Sequence, residues 1–62
     1  MDYGKILMKY RKRRGMTRKE LAEKAGVTER AVAYWEKGKR HMTLLSADRV
    51  FKVLDVSITI GA

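Results

Sequence analysis

Cysteine is absent from this 62-residue sequence, and His41 is its single histidine. The missing cysteines exclude disulfides and thiolate metal sites, and they leave the redox compartment of the protein open. Because His41 has no second histidine or cysteine with which to share a metal ion, we expect it to be a solvated loop residue and the chain to bind no metal.

Groups suited to catalysis are equally scarce. The chain has seven carboxylates, and these form no recognisable acid–base pair, metal triad or glycine-rich phosphate loop. A chain of 62 residues also has little room for a deep ligand pocket. We therefore expect no enzyme, no catalytic residue, no cofactor and no small-molecule ligand, so that control would come from concentration, proteolysis or a partner.

Long hydrophobic runs are missing as well. No stretch of about 18 apolar residues could span a bilayer, and the N-terminus lacks the apolar core of a signal peptide. The sequence therefore predicts a cytoplasmic protein without a membrane segment. Its 62 residues predict a single domain, which would bury only about 60% of its unfolded surface and be marginal as a monomer. Without disulfides, oligomerisation is the common remedy.

Acidic residues are few relative to basic ones. The chain has 15 Lys and Arg against 7 Asp and Glu, a formal net charge of +8. The excess lies in residues 1–41, with 13 basic and 5 acidic residues, whereas residues 42–62 hold two of each. A strongly basic domain favours nucleic acid as its partner, and an anionic membrane surface is the less favoured alternative. The neutral, apolar tail suggests a second surface that meets protein.

The chain is organised around residues 17–37, which carry the pattern of two short helices joined by a tight turn. Thr17 and Glu20 fit a capping box at the start of the first helix. Gly26 can end that helix and turn the chain, and Thr28 can cap the next one. Two helices with a short glycine-containing turn predict a helix-turn-helix, whose second helix, here residues 28–37, can enter the DNA major groove.

Two further helices flank this unit. A helix over residues 2–14 begins at Asp2 and places Tyr3, Leu7 and Tyr10 on one face. Thr43 is expected to cap a fourth helix over residues 44–54, and an apolar stripe is expected to pack it under the other three. The members of that stripe are Leu44, Ala47, Val50, Phe51 and Leu54.

The tail changes from helical to alternating periodicity, because Val and Ile alternate with Ser and Thr, which predicts a short strand over about residues 56–60. The backbone groups of a lone strand need a partner. The same strand of a second copy, antiparallel about a two-fold axis, is the simplest one, and it would place Val56, Ile58 and Ile60 in a dimer contact. The alternatives are a frayed tail, or pairing with another protein by β-augmentation.

The helix predicted over residues 28–37 has an inner and an outer face. Val32 and Trp35 point inward, and the outer face is left to residues suited to DNA. Arginine can bond guanine or phosphate, glutamate can accept from cytosine, a small alanine permits close approach, and tyrosine can donate to phosphate or pack on a sugar. These candidates are Arg30, Glu29, Ala33 and Tyr34, and the basic loop that follows adds Lys39 and Arg40 as phosphate anchors.

Residues 15–38 read Gly-Met-Thr-x-x-Glu-Leu-Ala-Glu-Lys-Ala-Gly-Val-Thr-x-x-x-Val-x-x-Trp-Glu-x-Gly. This pattern resembles the Xre family, the Cro and phage-repressor type of helix-turn-helix regulator, and the resemblance covers about residues 3–54. It implies an all-α, four-helix, lambda-repressor-like DNA-binding domain. Regulators of this family are usually dimeric and bind palindromic operators, which makes a homodimeric repressor and double-stranded DNA the expected function and partner.

The resemblance also implies roles for particular positions. Arg11 and Glu36 match a paired Arg and Glu that join the first helix to the end of the recognition helix. The other matching positions face DNA. Arg18 stands where a residue, commonly Gln, opens the second helix and bonds the DNA backbone; the remaining matches are Thr28, Glu29, Arg30, Tyr34, Lys39 and Arg40.

The chain departs from the family pattern at two places. Many members have a proline before the fourth helix, whereas this chain has none and carries Met42 there. Many members end in a fifth helix, whereas this chain ends in the alternating residues 56–61. That ending is similar to HipB-type antitoxins, whose C-terminal strands pair across the dimer, and which repress their own operon and bind a HipA-type kinase. A HipB-like antitoxin with a HipA-like kinase partner is therefore the alternative function.

Overall fold

A computed structural model describes residues 2–56 of the chain, and these residues form an all-helical fold. The predicted four-helix helix-turn-helix architecture is confirmed. Helices α1 and α2 each pack against both α3 and α4. None of the helices within residues 2–56 has the length and hydropathy to cross a membrane. Their bounds are α1, Tyr3–Arg13; α2, Arg18–Ala25; α3, Glu29–Glu36; and α4, Leu44–Val53.

Each helix begins behind a side chain that caps its first turn, as the sequence predicts. The oxygen of the cap accepts a backbone N–H three residues on, at 3.0–3.1 Å. At α2 the capping box is complete, because the Glu20 carboxylate also accepts from the Thr17 backbone N–H at 3.1 Å. This bond from the Thr17 backbone N–H is the largest cause of a pKa of Glu20 that lies below its ordinary value. The caps are Asp2, Thr17, Thr28 and Thr43.

The turn between α2 and α3 depends on Gly26, whose φ of +72° lies in the left-handed region. This conformation lets the backbone N–H of Val27 donate to the carbonyl of Ala22 at 3.0 Å, which closes the helix and reverses the chain. Thr28 then caps α3 immediately. The two helices of the predicted unit are therefore joined by three residues only, from Gly26 to Thr28.

The described part of the chain, residues 2–56, contains no strand. Of the residues predicted to pair across a dimer, Ile58 and Ile60 lie outside the described residues. Val56 lies within them, and the prediction of a strand there is wrong. Its backbone N–H donates to the carbonyl of Phe51 at 3.0 Å, and its side chain is half-buried against the core. The left-handed φ of +56° at Asp55 turns the chain into this position, so Val56 closes the turn that follows the end of α4 at Val53.

A single set of buried apolar side chains lies between the helices. The stripe predicted for α4 is buried from Ala47 onward, but the prediction for Leu44 is wrong, because its side chain is 68% exposed. Leu44 is the first residue of α4 and lies about 70° around the helix from the centre of the buried stripe, at 3.6 residues per turn. The buried apolar residues within residues 2–56 are Leu7, Leu21, Ala22, Ala25, Val32, Trp35, Ala47, Val50, Phe51 and Leu54.

The crossing of α1 and α3 is close enough to bring backbone against backbone. A Cβ atom built on the buried Gly4 would lie 1.9 Å from the carbonyl oxygen of Trp35. No residue with a side chain fits at this position without a shift of one helix. Gly4 therefore sets the distance of α3 from the rest of the domain, and with it the placement of the helix that the sequence predicts to enter DNA.

Candidate nucleic-acid interface

Helix α3 has one buried side and one open side. Val32 and Trp35 are buried in the core, as their spacing predicts. On the other side, Glu29 and Arg30 are exposed, and Ala33 and Tyr34 are half-buried. The outer face thus carries one acidic and one basic side chain at its first turn, and a small alanine precedes the half-buried Tyr34 ring.

The C-terminal residue of α3, Glu36, has a buried carboxylate that accepts hydrogen bonds from two arginines. The Glu36 side chain is fully buried, and its Oε2 atom accepts from Arg11 Nε at 2.6 Å. Its Oε1 atom accepts from Arg11 Nη2 and from Arg18 Nε, each at 3.0 Å. Arg11 also donates through Nη1 to the carbonyl oxygen of Met16 at 2.8 Å. One carboxylate therefore joins α1, the start of α2 and the end of α3.

The charge state of Glu36 follows from these contacts. Burial of the carboxyl disfavours its charged form and raises its pKa. The hydrogen bonds from Arg11 and Arg18, together with their positive charges, outweigh burial, and the pKa of Glu36 lies below its ordinary value. The carboxylate is therefore ionised at neutral pH, and the cluster of two guanidiniums and one carboxylate carries one excess positive charge.

Arg18, which the resemblance assigned to the DNA backbone, has two environments. Its Nε is tied to the buried Glu36, whereas 35% of its side chain is open to solvent. Within residues 2–56, neither of its Nη atoms makes a hydrogen bond. Arg18 can therefore keep its contact with Glu36 and present the outer edge of the guanidinium to an anion.

A groove of about 430 Å³ lies between the outer side of α3 and the start of α4. Among residues 2–56, its lining includes Arg30, Arg40, Tyr34 and the hydroxyl-bearing Thr28 and Thr43, and it includes no aspartate or glutamate. The Arg40 guanidinium carbon lies 5.3 Å from the centroid of the Tyr34 ring. The groove is therefore positive and open at the edge of the α3 face.

The loop between α3 and α4 is exposed from one end to the other except at Met42, which packs half-buried on the core. Lys39, Arg40 and His41 are all exposed. Residues 2–56 hold no cluster of three or more His, Cys, Asp or Glu side chains placed to bind a metal ion. What the loop offers chemically is positive charge beside the open side of α3.

Helices α2 and α3, with the tight turn between them, form a helix-turn-helix, and comparison with known proteins agrees with this. The model of the Helix-turn-helix family matches residues 7–60. The chain belongs to the helix-turn-helix family. It is similar to an uncharacterized HTH-type transcriptional regulator of Methanothermobacter thermautotrophicus, with 37% identity over 49 residues, or 79% of this chain and 71% of that protein. No solved structure matches the chain.

In this helix-turn-helix protein, the residues predicted to face DNA fall into two groups. The open side of α3 and its cap bring together Thr28, Glu29, Arg30, Ala33 and Tyr34, and the loop adds Lys39 and Arg40 at one end. Arg18 lies apart from these, at the start of α2, on the carboxylate of Glu36. Their contacts with DNA stay predictions.

Two features of the interface were not predicted from the linear sequence. The bond from Arg18 to Glu36 joins residues 18 positions apart on different helices, and the spacing of the two predicts nothing by itself. The contact of Arg40 with Tyr34 depends on how the loop leaves α3. The signal that could have suggested the second is the pair itself, an aromatic residue on the outer face followed six residues later by arginine.

Proposed function

We propose that this helix-turn-helix protein is a sequence-specific DNA-binding transcriptional regulator, and that it inserts α3 into the major groove. The open side of α3 carries the proposal, because it joins an exposed first turn with Arg30 to a positive groove without carboxylates. The N-terminal residues of a recognition helix are the ones that reach base edges. The name of the relative, an HTH-type transcriptional regulator, supports the same function.

Duplex DNA suits this surface better than RNA does. The B-DNA major groove admits an α-helix, and each base pair presents a distinct set of donors and acceptors there. The major groove of A-form RNA is too deep and narrow for side chains to read. The net charge of +8 provides the sequence-independent attraction to phosphates that such binding requires.

The regulator is proposed to act as a homodimeric repressor on a palindromic operator. One α3 has eight residues and reads one half-site. Two copies would place their helices one DNA turn apart, at about 34–36 Å. Of the dimer contact predicted over about residues 56–60, Ile58 and Ile60 lie outside the described residues, and their pairing between copies stays a prediction. Leu44 and Leu45 add exposed apolar area, at 68% and 62% exposure. The mass of the full chain in sedimentation equilibrium tests the dimer, and a monomer at the concentrations that bind DNA contradicts it.

Footprinting of the purified protein on the DNA upstream of its own gene tests the function. The expected result is a protected stretch with two half-sites about 10–10.5 base pairs apart, centre to centre. A protein that binds neither that region nor any selected sequence more tightly than random duplex is not a sequence-specific regulator.

Arg30→Ala is expected to weaken operator binding by about 1–3 kcal/mol and to relax specificity at one base pair. The reason is that Arg30 is exposed on the first turn of α3, where an arginine can bond guanine bidentately. Affinities for the operator and for its single-base variants measure the effect. Arg49→Ala, at an exposed arginine of α4, is the matched control for loss of charge. Equal losses on operator and random DNA contradict the assigned role.

Arg40→Ala is expected to weaken binding to all sequences alike and to flatten the log–log salt dependence of affinity by about 1. Arg40 lies in the exposed loop beyond the end of α3, and we expect it to contact a phosphate rather than a base edge. Affinity for operator and for random duplex over a series of salt concentrations measures the slope. A loss confined to the operator, with the slope unchanged, argues for a base contact instead.

The HipB-like antitoxin stays the alternative function, and it rests on the alternating tail alone. DNA binding would then serve autoregulation, while another surface holds a HipA-type kinase. A kinase reading frame beside this gene, and co-purification of its product with this protein, would favour the alternative. Purification from its own cells without such a partner would favour the simple repressor.

A further inference from the structure

Arg40 is an exposed loop residue, yet its side chain is held in place. Among residues 2–56, no carboxylate lies within 4.0 Å of its guanidinium. The guanidinium lies over the ring of Tyr34 instead, with its carbon 5.3 Å from the ring centroid. A cation at this distance from an aromatic face is attracted by the negative face of the ring.

The Tyr34 ring is a firm support for this contact. Tyr34 is half-buried on α3 and directly precedes Trp35, whose side chain is buried in the core. An arginine paired with a carboxylate uses one or two of its five N–H donors in that bond, whereas a guanidinium over a ring keeps all of them available. The contact therefore orders Arg40 and leaves it free to bind an anion.

The groove next to the pair is suited to an anion as well. Arg30 and Arg40 both line it, and no acidic side chain does. Thr28 also lines it; its hydroxyl oxygen accepts the backbone N–H of Ala31 at 3.0 Å and keeps its own proton to donate. Arg30 and Arg40 therefore bring two positive charges to one side of the recognition helix, with Tyr34 supporting the second.

We propose that Tyr34 is a positioning residue that holds Arg40 ready for a DNA phosphate, rather than a residue that reads a base. This inference rests on the DNA-binding function proposed above. A free arginine side chain loses conformational entropy when it binds. Because the contact with the Tyr34 ring already restricts Arg40 in the unbound protein, less entropy is lost on binding DNA. Tyr34 then contributes to affinity through Arg40 and for every DNA sequence alike.

A double-mutant cycle on a short random-sequence duplex tests the coupling of the two residues. Affinity is measured at one salt concentration for the wild type, Tyr34→Leu, Arg40→Ala and the double variant. With Arg40 present, Tyr34→Leu is expected to weaken binding by about two- to fivefold, the range of an exposed cation–π contact. With alanine at position 40, the same change is expected to leave the affinity as it is.

Tyr34→Phe is the matched control, because it keeps the ring and removes the hydroxyl. It is expected to bind the random duplex as tightly as the wild type does. If Tyr34→Phe loses as much affinity as Tyr34→Leu, the hydroxyl contacts DNA directly and the inference fails. It fails equally if Tyr34→Leu costs the same affinity with and without Arg40.

A second readout needs no DNA. The ring shifts the NMR resonances of the Arg40 side-chain methylene protons upfield, and this shift is expected in the wild type and in Tyr34→Phe but not in Tyr34→Leu. Spectra of the remaining residues show whether each variant is folded. A wild type that binds duplex but lacks the shift overturns the positioning role alone. A wild type that shows the shift and binds no duplex overturns the DNA-binding function, and the positioning role with it.

Discussion

Gly4→Ala is expected to destabilise the domain by about 1–3 kcal/mol or more, the range for overpacking a tight contact. In an open helix position the same change would stabilise, since alanine is favoured over glycine by about 1 kcal/mol. The sign is reversed here because the new methyl carbon would lie 1.9 Å from the carbonyl oxygen of Trp35, and that oxygen is backbone. It cannot rotate away as a side chain could, so α1 and α3 must move apart.

Chemical denaturation followed by circular dichroism measures this effect. All variants are compared at one protein concentration, because a dimer would make stability depend on concentration. Lys5→Ala, one residue further along α1 and exposed, is the matched control and is expected to change stability by less than about 0.5 kcal/mol. A Gly4→Ala protein as stable as the wild type would mean that the helices do not cross this closely. The same variant should also bind DNA more weakly, since its α3 is displaced.

The helix bounds of the described residues could be predicted from the sequence because their causes are local. The predicted helix over residues 44–54 is observed as Leu44–Val53, and the one over residues 2–14 as Tyr3–Arg13. The cap of a helix bonds a backbone group three residues away, so cap and helix start lie within one short stretch of sequence. The division of α3 into a buried and an open side follows from the helical period in the same way.

Features that depend on where two helices meet could not be predicted. In the sequence, Gly4 is only a residue of low helix propensity in the first turn of α1. Its role becomes clear from the structure, where the carbonyl of Trp35 lies against it. Leu44 stands three residues before Ala47, but it lies at the edge of the buried stripe of α4, and its side chain is 68% exposed. At Val56, the alternating pattern favours a strand. The turn at Asp55 instead brings the backbone N–H of Val56 to the carbonyl of Phe51.

The candidate interface shows the same division. The open face with Arg30 and Tyr34 follows from spacing, whereas the resemblance alone paired Arg11 with Glu36 and assigned Arg18 to DNA. The structure places both arginines on the one carboxylate. The three residues of this charged cluster lie on three different helices. Their contact depends on how the helices pack, and no single stretch of sequence predicts it.

Glu36→Gln is expected to destabilise the domain by about 3–5 kcal/mol, the loss typical of removing one partner from a buried ion pair. Glutamine keeps the volume of the side chain but removes the negative charge. The Arg11 side chain is only 11% exposed, so its charge would stay buried without a counter-charge. A domain of this size has a total stability of about 3–9 kcal/mol at 0.05–0.15 kcal/mol per residue. The expected loss is therefore at least about a third of the total stability.

The pH dependence of stability separates the charge of Glu36 from its packing. The pKa of Glu36 is lower in the folded protein than its ordinary value of 4.5, so its contribution is present above 4.5 and is lost as the pH falls through the folded value. The stability gap between wild type and Glu36→Gln should thus narrow in acid. Glu23→Gln, at an exposed carboxylate of α2, is the matched control and should cost less than about 0.5 kcal/mol. Because glutamine keeps the volume of the side chain, a gap that stays constant from neutral pH into acid would mean that the loss does not come from the charge of Glu36.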